Sequence, residues 1–183
     1  MYTPCYTHAL TRCGGRLAAV ALTVVLVVFA TAPVHATSVV KLNDEQLVQL
    51  SSTVAEGRVT SVRSEWNANH TQIFTSVTIQ VSSQIKGTTP RSGFLVVRLL
   101  GGRVGDVVME LIDQPTFTVD EDVIVFLDAT SPQYTPITGL YQGKLTVAPD
   151  PATGSPTVID RGVSREAFVR DISRIVAEQE GGR

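Results

Sequence analysis

Three stretches hold residue types capable of chemistry, and each falls short on spacing. His70 stands in a polar segment with Trp66, Asn67 and Asn69. An imidazole titrates near neutrality and can act as a general base or a metal ligand. A hydrolase built on His70 would need an unassigned Ser and Asp, and neither a Gly-x-Ser-x-Gly elbow nor a His-Glu-x-x-His helix occurs. No other His or Cys lies between residues 37 and 183 to complete a zinc site. Asp120-Glu121-Asp122 offers clustered carboxylates of the kind that hold calcium, but lacks the loop spacing and central glycine of a calcium hand. A solvated turn accounts for it. Gly139-Leu140-Tyr141-Gln142-Gly143-Lys144 is superficially like a phosphate loop, yet its glycine spacing is one short and Leu145 replaces the required hydroxyl. Gly101-Gly102-Arg103-Val104-Gly105 precedes a strand-like run, not the helix that phosphate binding needs, and reads as a turn. No catalytic residue, cofactor site or metal site is assigned, and a non-enzyme is expected.

The elements that would position these residues begin after an address. Arg12 and Arg16 form a positive region with no acid before Asp44, an apolar run follows over residues 17–32, and Val34-His35-Ala36 ends in small residues. That order is the pattern of a signal peptide cut after Ala36, and the run is short of the roughly 20 residues that span a bilayer. Cys5, Cys13, His8 and His35 would leave with it. The remaining single β-rich domain, residues 37–183, would have no disulfide and no thiol. Thirteen basic residues would face seventeen acidic ones, a net charge of −4. A mildly acidic surface argues against nucleic acid and against a polybasic membrane patch. The expectation is an extracytoplasmic monomer that meets a membrane only through its leader, if that is retained.

Within the domain, residues 73–85 carry the clearest pattern. Ile73, Val77, Ile79, Val81 and Ile85 share one parity, while Ser76, Thr78, Gln80, Ser82 and Gln84 take the other. Period two makes this a strand with a core face and a solvent face, ended by Lys86-Gly87. Its length predicts a bend or bulge between Val77 and Ser83. Asn43 and Gln46 form a box-like helix start, and Leu47, Leu50 and Val54 supply the apolar side of a helix over 43–53. Strands are expected over 54–63, with a bulge at Gly57, and over 94–100, 107–112 and 123–127. The last, apolar on both faces, should be central. The segment from Pro132 and Tyr134 to Val147 continues the pattern, and Asp150-Pro151-Ala152-Thr153-Gly154 is turn chemistry before 157–159. Ser164 caps a final helix over 164–179, with Phe168, Ile172, Ile175 and Val176 inward and Glu166/Arg170 and Arg174/Glu178 paired outside.

Several of these landmarks recur in order elsewhere. Glu56-Gly57-Arg58-Val59-Thr60-Ser61-Val62, Thr75-Ser76-Val77-Thr78-Ile79 leading to Lys86-Gly87, Gly101-Gly102, Phe117, Glu121 with residues 123–127, and the Gly139–Lys144 stretch resemble a group of uncharacterised secreted bacterial domains. The front half is also similar to netrin-like modules, including the tissue inhibitors of metalloproteinases, which are built on an OB-type barrel. That resemblance implies a mainly β fold: an OB-like or related partly open barrel of five or six strands, with a short N-terminal helix and a C-terminal helix. A β-sandwich is the alternative. Those inhibitors chelate zinc through an N-terminal cysteine that this mature chain lacks, so the zinc-chelating mechanism does not transfer.

The function expected is a non-catalytic exported domain that binds a protein or a cell-envelope component. Alternatives are a peptidase inhibitor or chaperone-like module without zinc chelation, and a hydrolase using His70. Exposed-looking polar and aromatic groups nominate Trp66, Asn67, Asn69, His70, Gln142 and Lys144 as the partner-binding surface.

Overall fold

The computed structural model describes residues 40–88, 90–128 and 136–182. The expected leader, and Pro132 and Tyr134, lie outside them. Two 14-residue strands, β1 (Thr53–Trp66) and β2 (Ile73–Lys86), form a hairpin about 46 Å long at 3.3 Å per residue. They pair along their whole length, from Val54 with Lys86 to Trp66 with Ile73. Strand β3 (Phe94–Leu100) lines the outer edge of β2 from Phe74 to Gln80. Strand β6 (Asp122–Leu127) lines the other edge of β1 from Thr53 to Arg58. The sheet continues through β7 (Lys144–Pro149), β8 (Pro156–Val158) and β9 (Val163–Ser164), in the order β3-β2-β1-β6-β7-β8-β9. A separate hairpin joins β4 (Gly102–Val104) to β5 (Val107–Met109).

This seven-stranded antiparallel sheet corrects the expectation of a five- or six-stranded barrel. Closure would require β7 to pair with β3. Instead β8 occupies the free edge of β7, joining Val147 to Val158. Nor do the described residues form a sandwich, because among them the second sheet is the two-stranded β4–β5 hairpin. Each face carries its own core. Val54, Ile124, Phe126 and Leu145 meet the helices on one side. Ala55, Val59, Val77, Ile79, Val97, Val123 and Val125 cluster on the other. Neighbouring residues of β6 therefore enter opposite cores, as a central strand buried on both faces must.

The bulges fall near where strand length and glycine placed them. Register slips at three places: between Val54 and Ala55, where β2 carries the extra residue Ile85, between Glu56 and Gly57, where it carries Ser82, and between Val59 and Ser61, where β1 carries Thr60. A one-residue slip exchanges faces. Thus Val81 packs with the Val77 and Ile79 cluster, whereas Ile85 packs against the helix-side core. At Gly57 the strands approach so closely that a Cβ would overlap the Gln80 carbonyl and the Ile79 side chain.

Helix α1 is shorter than expected, Asp44–Leu50, and does not run to residue 53. The Asn43–Gln46 capping box forms, with bonds of 2.8 and 3.0 Å. Ser51 then ends the helix by donating its hydroxyl to the Leu47 carbonyl (2.6 Å). Leu47 and Val48 are buried, while Leu50 faces solvent and Val54 already belongs to β1. Helix α2 (Arg165–Gly181) starts at the Ser164 cap and buries Phe168, Ile172, Ile175 and Val176. Arg174 pairs with Glu178 at 3.1 Å, but Glu166 meets Arg165 and not Arg170. No helix among the described residues is long and apolar enough to cross a membrane.

Candidate functional site

At the end of β3 the backbone enters a region that side chains avoid. Gly101 and Gly102 have φ of 100° and 133°. A Cβ on Gly102 would overlap the Ser64 and Thr75 hydroxyl oxygens, and one on Gly101 would meet the Met109 carbonyl. These two glycines let the chain fold back over the sheet as the β4–β5 hairpin. Residues 110–117 continue as a strap, and Phe117 packs onto the β1–β2–β3–β6 core. Between strap and sheet lies a cleft of about 440 Å³. Val62, Ser64, Thr75, Val77 and Leu99 form its sheet side, and Val108, Leu111, Gln114, Pro115 and Phe117 its strap side, with Arg103 and Glu110 also lining it.

The far end of the strap is fastened by ionic chemistry. Glu121 pairs with Lys144, both side chains being 15% exposed or less. Thr146 Oγ1 donates to Glu121 (2.9 Å), and the Thr118 N–H donates to its other carboxylate oxygen (3.1 Å). Lys144 also lies 5.5 Å from the centre of the Phe117 ring, a cation–π distance that holds the ring from behind. Backbone bonds of 2.9 and 2.8 Å tie Glu121 and Asp120 to Val59. Asp122 accepts a two-bond fork from Arg58, both at 2.7 Å, which raises the guanidinium pKa above its ordinary value. The acidic turn is therefore a fastening, and among the described residues no metal-holding group of three or more His, Cys, Asp or Glu side chains occurs.

The six nominated surface residues fall in two places. Trp66 ends β1 rather than sitting in a loop, because β1 runs three residues past the expected Arg63. Its ring centre is 6.0 Å from that of His70. Asn67 organises the turn internally, accepting from the Thr71 and Gln72 N–H groups (2.8 and 3.2 Å) and donating to the Thr71 hydroxyl (2.9 Å). Asn69 and His70 are exposed, and His70 has a left-handed φ of 52°. Among the described residues, no hydroxyl or carboxylate is hydrogen-bonded to the His70 imidazole. Gln142 and Lys144 lie elsewhere, since Lys144 pairs through Val125 to Ala55, eleven residues before Trp66 along β1. Gln142 uses its carbonyl to accept from the Leu42 N–H (2.8 Å), tying the Leu140–Gly143 3₁₀ turn to the chain before α1. Lys144 is engaged with Glu121. The Trp66 turn has one link to the cleft: Ser64, two residues earlier on β1, lines it.

Sequence reading overlooked the strap. Val107 and Val108 on β5, then Leu111 and Ile112, are all exposed, and Ile112 is 91% exposed. Asp113 beside it has a φ of 65°, which turns the chain back and leaves Ile112 projecting. The signal was present in residues 107–112, whose apolar run suggested a strand. Pairing stops at Met109, and the rest forms an apolar lip. No family model matches this chain, and a search of curated proteins returns no match.

Proposed function

We propose that this chain is an exported, non-catalytic domain that binds a protein or a cell-envelope component through the lip above the cleft. The observation that carries the reading is the run of exposed apolar side chains Val107, Val108, Leu111 and Ile112. Contiguous apolar exposure on a soluble domain marks an interaction surface. Phe94 and Val96, also exposed, add apolar area on edge strand β3. The leader pattern supports delivery outside the cytoplasm. The OB-type relation is retained for the run β3-β2-β1-β6-β7, supported by the long bulged β1 that serves both wings of the sheet.

The test uses the tagged mature chain and an envelope extract of the producing cell. Val108→Asp with Ile112→Asp is expected to abolish capture of the species held by the unmodified chain. Trp66→Ala with His70→Ala is expected to keep it. Retention by the lip variant, with loss in the Trp66/His70 variant, would move the site to the β1–β2 turn.

One feature favours a second reading, peptidase inhibition or chaperoning without zinc chelation. Ile112 projects from a tight turn as an apolar side chain that a specificity pocket could take. A panel of secreted peptidases assayed with micromolar protein tests it. Inhibition relieved by Ile112→Asp supports the reading, and full residual activity across the panel removes it.

A further inference from the structure

The net charge of −4 over residues 37–183 conceals a basic wing. From Trp66 to Gly105, a stretch containing β2, β3 and β4, the chain has four basic residues and no acid. The rest of residues 37–183 carries nine basic against seventeen acidic residues. Arg91, Arg98 and Arg103 in this stretch are exposed, and none has an ion-pair partner among the described residues. Edge strand β3 carries Arg98 and is bracketed in the chain by the other two.

The same strand has an unused backbone edge. The Gly101 N–H donates to the Ile73 carbonyl (2.7 Å) and the Val81 N–H to the Gly93 carbonyl (2.9 Å). These bonded pairs bracket a β2–β3 register that runs without a slip from Phe94 opposite Gln80 to Leu100 opposite Phe74. Antiparallel ladders alternate, so Leu95, Val97 and Leu99 direct their backbone groups at β2, while Phe94, Val96, Arg98 and Leu100 direct theirs outward. The Phe94 N–H meets the Ser92 hydroxyl at 3.4 Å. The outward groups of Val96, Arg98 and Leu100 have no partner among the described residues. The β4–β5 hairpin does not pair with this edge, because Gly102 leads it inward over Thr75 of β2 and Ser64 of β1. Natural edges are blunted by lysine, proline, bulges or inward charges. β3 has no lysine, proline or bulge, and Arg98 folds back over the Phe74 ring, 4.1 Å from its centre.

We infer that β3 receives an extended, acidic segment of a partner protein as a further strand of the sheet. The segment's backbone pairs with Val96, Arg98 and Leu100, its apolar side chains continue the exposed row of Phe94 and Val96, and Asp or Glu at its ends meet Arg91 and Arg103. Charge selects this occupant. A second copy adding its own β3 would set two basic wings edge to edge, and like charges across a strand pair oppose pairing. The inference rests on the reading of this chain as a binding domain and supplies the chemistry of the partner. Phe94 and Val96 serve both, whereas the backbone edge of β3 is separate from the strap side chains that form the lip.

The test is a low-salt titration of the ¹⁵N-labelled mature chain with the acetylated and amidated peptide Glu-Val-Thr-Val-Thr-Val-Glu. Amide-exchange protection is expected to rise at Val96, Arg98 and Leu100 and to change little at Leu95, Val97 and Leu99, which the ladder already protects. The same peptide with Lys at both ends is expected to bind about tenfold more weakly. Val96→Pro removes an outward N–H without breaking the ladder, and is expected to lose binding at an unchanged melting temperature. Two peptides N-methylated at complementary alternate residues give a check independent of that variant: the one whose methyl groups face β3 should fail to bind, and the other should bind. No protection at millimolar peptide, protection shared equally by both sets of amides, or equal binding by the N-methylated pair or by the Lys-ended peptide would overturn the inference. Protection of the three outward amides that grows with protein concentration alone would make a second copy the occupant, and would overturn it as well. Failure here with capture still dependent on Val108 and Ile112 removes this inference alone. Capture lost in Val96→Pro but kept by the lip variant removes the lip reading and leaves this inference standing.

Discussion

Removing the Arg165 guanidinium would strand the Glu56 carboxylate, whose side chain is 7% exposed. Arg165 grips it with a two-nitrogen fork, one bond being 2.8 Å, and this raises the Arg165 pKa above its ordinary value. A raised basic group stabilises the fold at every pH below its unfolded pKa, so this pair should give no pH dependence in the neutral range. Arg165→Ala is expected to cost about 2–3 kcal/mol in urea unfolding, a figure reduced from fully buried pairs because Arg165 is one-third exposed. A cost near zero would show that the carboxylate finds water. Asp150 behaves in the opposite sense. Its carboxylate accepts from the Thr153 and Ala152 N–H groups at 2.8 and 2.9 Å, which lowers its pKa below the ordinary 3.8. Stability from this group is fully present well above 3.8 and is lost as pH falls below that value through the lower folded-state pKa. Asp150→Asn is therefore expected to lose less melting temperature than the unmodified chain between about pH 5 and pH 3. Asp150 was legible as turn chemistry from its Pro and Gly neighbours. Glu56 was not, because its partner lies 109 residues away and an acid beside glycine looks solvated.

Among the elements, local pattern carried more than pairing did. The strand over residues 73–85, the capping box at Asn43 and the inward face of α2 all depend on neighbours within a few residues, and all form. The one core face expected along that strand, however, changes sides at the slip beside Ser82 and leaves Ile85 with the other core. The end of α1 depends on Thr53 pairing with Leu127, a contact no local pattern holds. Leu50, expected inside, is 53% exposed because the buried side of α1 runs through Leu47 and Val48. Leu50→Ala is expected to change stability by less than about 0.5 kcal/mol, whereas Ile172→Ala should cost about 2–4 kcal/mol. Equal losses in thermal or urea unfolding would contradict this placement of the core. Gly57 shows how a single residue shapes an element. Its Cβ would collide with the Gln80 backbone, so Gly57→Ala must open the β1–β2 ladder. A loss of about 1–3 kcal/mol is expected, with faster amide exchange at Val81 and Ser83; unchanged exchange would show that the bulge absorbs the methyl.

For the whole molecule, sheet order and the strap were the parts that composition and periodicity could not supply. Strand identity is written in alternation, but closure is decided by which edge β8 reaches, and β8 is three residues long with a proline at its start. The strap read as a strand because apolar runs have the same composition whether they are buried or form an exposed lip. Its course depends on the positive φ of Gly101, Gly102 and Asp113 acting together. The nominated surface chose residues by polarity and aromatic character, and the fold then committed Asn67, Gln142 and Lys144 to holding it together. The central claim is that the lip is where a partner sits. It is tested most directly by a photo-crosslinking side chain placed at Ile112, at Asn69 or at Asp171 in the chain as the producing cell makes it. The account expects one adduct of defined mass at Ile112 and none at the other two positions. Adducts at Asn69 or Asp171 with none at Ile112 would contradict it.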